Sequence, residues 1–131
     1  MTSRTPPRTS FSEMMRRGQV FSPDCPSREV LKHVTSRWGV LVLVALIPGT
    51  QRFSDLRRRI GGISERMLAQ TLQWLENDRL VDRVAYPVVP PHVEYSLTPL
   101  GREVALRVEG LVEWIETNLG QILAGRTTAA E

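Results

Sequence analysis

In residues 63–80, ISERMLAQTLQWLENDRL, the hydrophobic positions fall on one side of a helix. At about 100° per residue, Leu68, Thr71, Leu72 and Leu75 gather together, flanked by Ile63, Met67 and Trp74. The opposite stripe holds Arg66, Ala69, Gln70, Gln73 and Asn77, a row rich in the amide and guanidinium groups that can read base edges. The same helical period recurs upstream. Val30, Leu31 and Val34 form an apolar patch behind Pro26, which suits the first turn of a first helix. WGVLVLVALI, from Trp38 to Ile47, predicts a second helix, the most buried, stopped by Pro48 and Gly49. A short third helix follows in TQRFSDLRRRI, where Phe53, Leu56 and Ile60 face inward, Ser54 is the candidate N-cap, and Arg57, Arg58 and Arg59 point largely outward. Gly61 and Gly62 turn the chain, and Ser64 caps the fourth helix with Glu65 at its positive dipole end.

Beyond residue 80 the period changes. Leu80–Tyr86 and His92–Leu97 are β-rich segments on either side of a proline-rich tip, PVVPP. Pro87, Pro90 and Pro91 stiffen that tip and cannot donate to a ladder, so the hairpin projects. Thr98 as N-cap and Pro99 at the first helical position then open one long amphipathic helix, with Val104, Val108, Leu111, Ile115, Leu119 and Ile122 at spacings of three and four. Two helices joined by a glycine-containing turn fit a helix-turn-helix, although generic helical hairpins share the pattern. A rigid hairpin directly after the second of them is a wing. The expected fold is mainly α with a small antiparallel β-hairpin: a winged helix-turn-helix with N- and C-terminal dimerisation helices. Residues 1–22, rich in Ser, Thr, Pro and Arg, predict a flexible arm. Residues 23–124 form the domain, and residues 125–131 a flexible tail.

The 131 residues suffice for one domain with a core. Lys and Arg number 17 against 14 Asp and Glu, and Lys32 is the only lysine. Arginine's planar fork suits phosphate and guanine. The charge is uneven, net +5 over residues 1–98 and −2 over residues 99–131, which fits either two faces with different partners or chance scatter of surface charge. A single cysteine, Cys25, excludes an internal disulfide. The N-terminus lacks the apolar region of a secretory signal, and the run from Trp38 to Ile47 is about half the ~20 residues of a membrane span. A cytoplasmic protein with no membrane partner is expected. No phosphate-cradling loop and no nucleophile paired with a base is present, so an enzyme is not expected. His33 and His92 are distant in sequence, so neither a metal nor a cofactor is expected.

Several short sequences together resemble the HxlR-type winged helix-turn-helix transcriptional regulators over about Cys25 to Trp114. They are the Cys25–Pro26 pair, Trp38 opening the apolar helix, RFSDLRR from Arg52, GISERML from Gly62, YPVVPPHVEYSLTPLG from Tyr86, and Trp114. The resemblance implies a bacterial DNA-binding regulator that works as a homodimer, its first and last helices forming the dimer contact and its fourth entering the major groove. The chain departs from the family at two places. Thr35, Ser36 and Arg37 stand where Gly-Gly-Lys is usual, and His92 stands where the wing commonly ends in Arg or Lys, beside apolar Val88 and Val89.

On this reading Ser64, Glu65, Arg66, Gln70 and Gln73 face bases, with Arg66 suited to guanine and Gln70 to adenine. Arg52, Arg57, Arg58 and Arg59, with Arg83 and His92 on the wing, serve phosphates. A solvated basic face is the plainer account of any one of the three consecutive arginines, which cannot all point one way. Trp38 and Trp74 read as core. Val30, Leu31, Val108, Leu111, Trp114, Ile115 and Leu119 are the expected dimer contact, edged by Glu103, Glu109, Glu113 and Glu116; packing of the stripe on its own subunit is the alternative. Cys25, at a helix N-terminus, is either a thiol switch for oxidants or electrophiles or an inert small residue. The function expected is a sequence-specific regulator of double-stranded DNA, by default a repressor, acting on a pseudo-palindromic operator. The rival is a winged-helix module that binds protein without specific DNA binding. A small-molecule effector is left open.

Overall fold

Ser36, Ser64 and Thr98 each cap a helix start with the side-chain oxygen in the computed structural model, which describes residues 19–130. Most of the arm expected at residues 1–22 therefore lies outside the described residues. A 3-10 turn at Gln19–Phe21 precedes α1 (Ser27–Thr35), α2 (Arg37–Ala45), β1 (Gln51–Arg52), α3 (Phe53–Arg59), α4 (Glu65–Asn77), β2 (Val81–Tyr86), β3 (His92–Leu97), α5 (Pro99–Thr117) and α6 (Leu119–Ala130). The chain divides into two compact units, Met1–His33 and Val34–Glu131. In the first, Arg28 Nη1 donates to the Phe21 carbonyl at 2.9 Å. No helix among the described residues is long and apolar enough to cross a membrane.

The second unit holds the core. Ser36 Oγ accepts from Gly39 N at 3.0 Å and starts α2, which buries Val42 and Leu43 fully and is followed by the buried C-cap residue Leu46. Around them close Leu56 of α3, Leu68, Leu72 and Leu75 of α4, Val81 and Tyr95 of the sheet, and Ala105 and Val108 of α5. Truncating such a leucine to alanine costs about 2–5 kcal/mol. The buried hydroxyl of Thr71 causes no penalty, since it donates to the Met67 carbonyl one turn back at 2.7 Å. Trp38 packs against this core as expected, with the Arg37 guanidinium 4.8 Å from its ring centroid.

The hairpin forms where the alternating pattern places it, with β2 antiparallel to β3 in the register Val81↔Leu97 to Tyr86↔His92. A further strand was not expected from the sequence. Gln51 and Arg52 pair antiparallel with Tyr95 and Glu94, giving the order β1-β3-β2. Two residues carry too little alternation to register as a strand. This pairing places the start of α3 at Phe53, so Ser54 lies inside the helix and not at its cap; Arg52 is the capping residue and makes no side-chain cap hydrogen bond.

The last helix also differs from expectation. Its hydrophobic period runs unbroken through Ile115, Leu119 and Ile122, yet the helix breaks at Asn118, where φ is −103° and ψ 9°. Asn118 Nδ2 donates to the Trp114 carbonyl at 2.8 Å, the local side-chain bond with which asparagine competes against a regular helix. Helix then resumes and runs to Ala130, past the boundary expected at residue 125.

A compact junction joins α4, β2 and α5. α4 ends in a Schellman motif: Leu80 N donates to the Leu75 carbonyl at 2.9 Å and Arg79 N to the Glu76 carbonyl at 2.9 Å. Arg79 occupies the left-handed position usually given to glycine, at φ 63°. Thr98 ties this end to α5, since its Oγ1 donates to the Arg79 carbonyl at 2.8 Å and accepts from Gly101 N at 2.9 Å. Its backbone N–H meets the Leu80 carbonyl at 3.0 Å. A Cβ at residue 101 would stand 1.8 Å from that same carbonyl oxygen. Gly101→Ala therefore forces backbone apart from backbone; it is expected to lower stability by about 1–3 kcal/mol or more, read as a fall in the thermal or urea midpoint.

Candidate nucleic-acid interface

Residues α3 and α4, joined by the turn at Gly61 and Gly62, form the helix-turn-helix. Gly62 sits at φ 86°, a conformation glycine adopts readily. Ser64 then caps α4, its Oγ accepting from Met67 N at 3.0 Å. With Leu68, Thr71, Leu72 and Leu75 buried, the opposite face is fixed outward. Ser64, Glu65, Arg66, Ala69, Gln70, Gln73 and Asn77 are all exposed along it. Gln73 Nε2 donates to Asn77 Oδ1 at 3.0 Å, which orients the last amides of the row.

The basic residues of α3 do not act as one group. Arg57 and Arg58, with Phe53 and Ser54, line a groove of about 340 Å³ shared with Glu65 of α4. Arg58 is also paired with Asp55, three residues earlier on the same helix. Arg59, two residues beyond Arg57 and so about 200° around the helix, lines a different cavity with Leu41 and Val44 of α2. The structure thus brings Arg57, Arg58 and Glu65 together and leaves Arg59 apart from them. Arg52 lies exposed in β1, opposite Glu94 in the strand register.

On the wing, Arg83 is exposed and stands opposite Tyr95. His92 does not stand free at the tip. Its Nε2 lies 2.6 Å from Glu94 Oε2, Tyr86 OH donates to Glu94 Oε1 at 3.3 Å, and the Tyr86 and His92 rings meet edge to face at 5.1 Å. This cluster was missed in the sequence, although the register that makes Tyr86 and His92 cross-strand partners follows from the five-residue tip. The tip itself is apolar, with Val89 98% exposed.

The residues expected at a dimer contact separate in the same way. Leu111, Trp114, Ile115 and Leu119 are 52%, 58%, 40% and 41% exposed, whereas Val108 is 7% exposed and belongs to the core of its own chain. Val108 shares the inward face of α5 with Gly101 and Ala105, at spacings of four and three, and so turns away from the exposed stripe. In the first unit, Val30 and Leu31 are exposed.

Cys25 precedes α1, its carbonyl accepting from Arg28 N at 3.0 Å. Its Sγ lies 3.3 Å from Ser27 Oγ. The Ser27 hydroxyl, followed by the Ser27 backbone N–H, holds the thiol below the usual cysteine range, with a smaller contribution from the Arg28 charge.

A helix-turn-helix with a β-wing and an outward polar row defines a winged-helix protein. Residues 33–122 match the HxlR-like helix-turn-helix family, and the chain belongs to that family. It is 64% identical over 121 residues to the uncharacterized HTH-type transcriptional regulator YtfH of Escherichia coli (strain K12), covering 92% of this chain and 96% of that protein. The solved ytfH structure from Salmonella typhimurium is 68% identical, with a TM-score of 0.80, covering 82% of this chain and 96% of that one. The redox regulator HypR in its reduced form is 36% identical, with a TM-score of 0.69, covering 76% of this chain and 99% of that one.

The Ser27 hydroxyl can be tested directly. Alkylation of Cys25 by iodoacetamide follows its thiolate, so the rate should rise with pH and level off at lower pH than in the unfolded chain. Ser27→Ala should move that midpoint upward and slow alkylation at neutral pH.

Proposed function

We propose that this chain is a DNA-binding transcriptional regulator that acts in the cytoplasm as a homodimer on a pseudo-palindromic operator, with repression by occlusion as its mode. The observation that carries the reading is the exposed row on α4, whose opposite face is locked into the core. A rigid helix with serine, carboxylate, guanidinium and amide groups at its outer N-terminal half matches what major-groove readout requires. Ser64, Glu65, Arg66, Gln70 and Gln73 face base edges, and Arg52, Arg57, Arg58 and Arg83 hold phosphates and set register. Arg59 stands outside that set. The wing tip contributes sterically more than electrostatically, because Glu94 engages His92 and the tip is apolar, which leaves Arg83 as the basic residue of the hairpin strands.

Dimerisation is supported by the exposed stripe Leu111, Trp114, Ile115 and Leu119, apolar surface that water disfavours and a second copy would cover. Residues 23–124 are the proposed functional domain. Control by thiol chemistry at Cys25 is supported by its hydrogen bond to Ser27, and by the structural likeness to HypR, itself described as a redox regulator.

Selection of bound sequences from a random duplex pool tests the reading; an enriched two-fold symmetric site is expected, and a pool without enrichment would sink it. On the selected site Arg66→Ala and Gln70→Ala should each cost about 1–3 kcal/mol, roughly 5- to 150-fold in Kd, and relax preference at one position of each half-site. Arg57→Ala should weaken all sequences alike and reduce the salt slope by about 1. Trp114→Glu should yield a folded monomer by analytical ultracentrifugation, while an unchanged dimer would place the contact elsewhere.

A further inference from the structure

Arg59 has chemistry around it that the DNA face does not use. It lines a cavity of about 270 Å³ whose other walls are Leu41, Val44 and Ala45 of α2 and Ile60 and Gly61 at the end of α3. No carboxylate lines this cavity, and among the described residues no ion pair engages Arg59. Leu41 leaves 37% of its surface open although it lies on the most apolar helix of the chain. One guanidinium beside an otherwise aliphatic concavity defines a ligand with two unlike ends. An apolar body removes the open Leu41 and Val44 surface from water, against a floor where Ile60 is already buried. A single carboxylate offers Arg59 the planar, bidentate partner its fork fits.

We propose that this cavity binds a small amphipathic monocarboxylate, with its apolar body against Leu41, Val44 and Ile60 and its carboxylate on Arg59. The volume is just below the roughly 300–1,000 Å³ of ordinary ligand sites, which restricts the ligand to about the size of a simple aromatic acid. A second charge on the body would be pressed against aliphatic walls and disfavoured. The ligand would touch Gly61, the first residue of the turn leading to α4. Binding here does not require DNA, so the site stands independently of the operator reading.

Titration of the ¹⁵N-labelled full-length protein with sodium benzoate, and separately with benzamide as a neutral isostere, tests this. Benzoate should produce saturable shifts at the amides of Leu41, Val44 and Gly61, with benzamide at least about tenfold weaker. Arg59→Gln, an exposed position where the fold tolerates the change, should bring benzoate down to the level of benzamide and leave benzamide unchanged. Arg59→Lys, which keeps the charge and loses the fork, should fall between. Absence of saturation in the millimolar range, equal affinity for the two probes, or shifts that map away from the cavity would each overturn the proposal.

Discussion

The carbonyl of Leu80 leaves no room for a side chain at residue 101, and that exclusion governs how α4, the wing and α5 meet. Because Gly101 has no Cβ, the first turn of α5 settles directly on the backbone that leaves α4. Thr98 then satisfies polar groups on both sides with one hydroxyl, accepting at the helix start and donating to the Arg79 carbonyl. Arg79 accepts a left-handed backbone at the same place, a conformation that persists only where neighbours over-determine it. The Schellman bonds and Thr98 supply that determination. The junction thus fixes the C-terminal end of α4, while the leucines beneath hold its length against the core.

Charge is distributed around this frame with more discrimination than the arginine count implies. Arg58 spends part of its charge on Asp55. Arg57 lines the groove that Glu65 also lines, so the carboxylate in the first turn of α4 sits beside guanidiniums able to offset it. His92, next to the wing tip, has a carboxylate at hydrogen-bond distance. A phosphate approaching the wing meets valines and prolines first.

Most of the architecture was legible in residues 23–124. The caps Ser64 and Thr98, the buried set on α4 and the hairpin limits follow from local chemistry that acts over one turn or one strand pair. What escaped depends on partners distant in sequence. β1 exists because Gln51 and Arg52 find Tyr95 and Glu94 more than forty residues later. Val108 and Leu111 share one hydrophobic period, and only the packed core decides that the first is buried and the second exposed. The break at Asn118 is a contest between one side-chain amide and a continuing apolar stripe, and periodicity cannot report its outcome. Of the candidate site, the α4 row was readable as a stripe, while the parting of Arg59 from Arg57 needed the cavity walls contributed by α2.

The break at Asn118 divides the C-terminal helical region into a long shaft and a short outer segment. α5 spans 19 residues, about 28 Å at 1.5 Å per residue, and its near end is clamped to the end of α4 by Gly101 and Thr98. A tilt of about 10° pivoting at the far end of this shaft would carry its near end through about 5 Å. A shaft clamped at one end in this way would act as a lever: a small change of lean at its far half would become a larger displacement of α4, without any rearrangement inside the core.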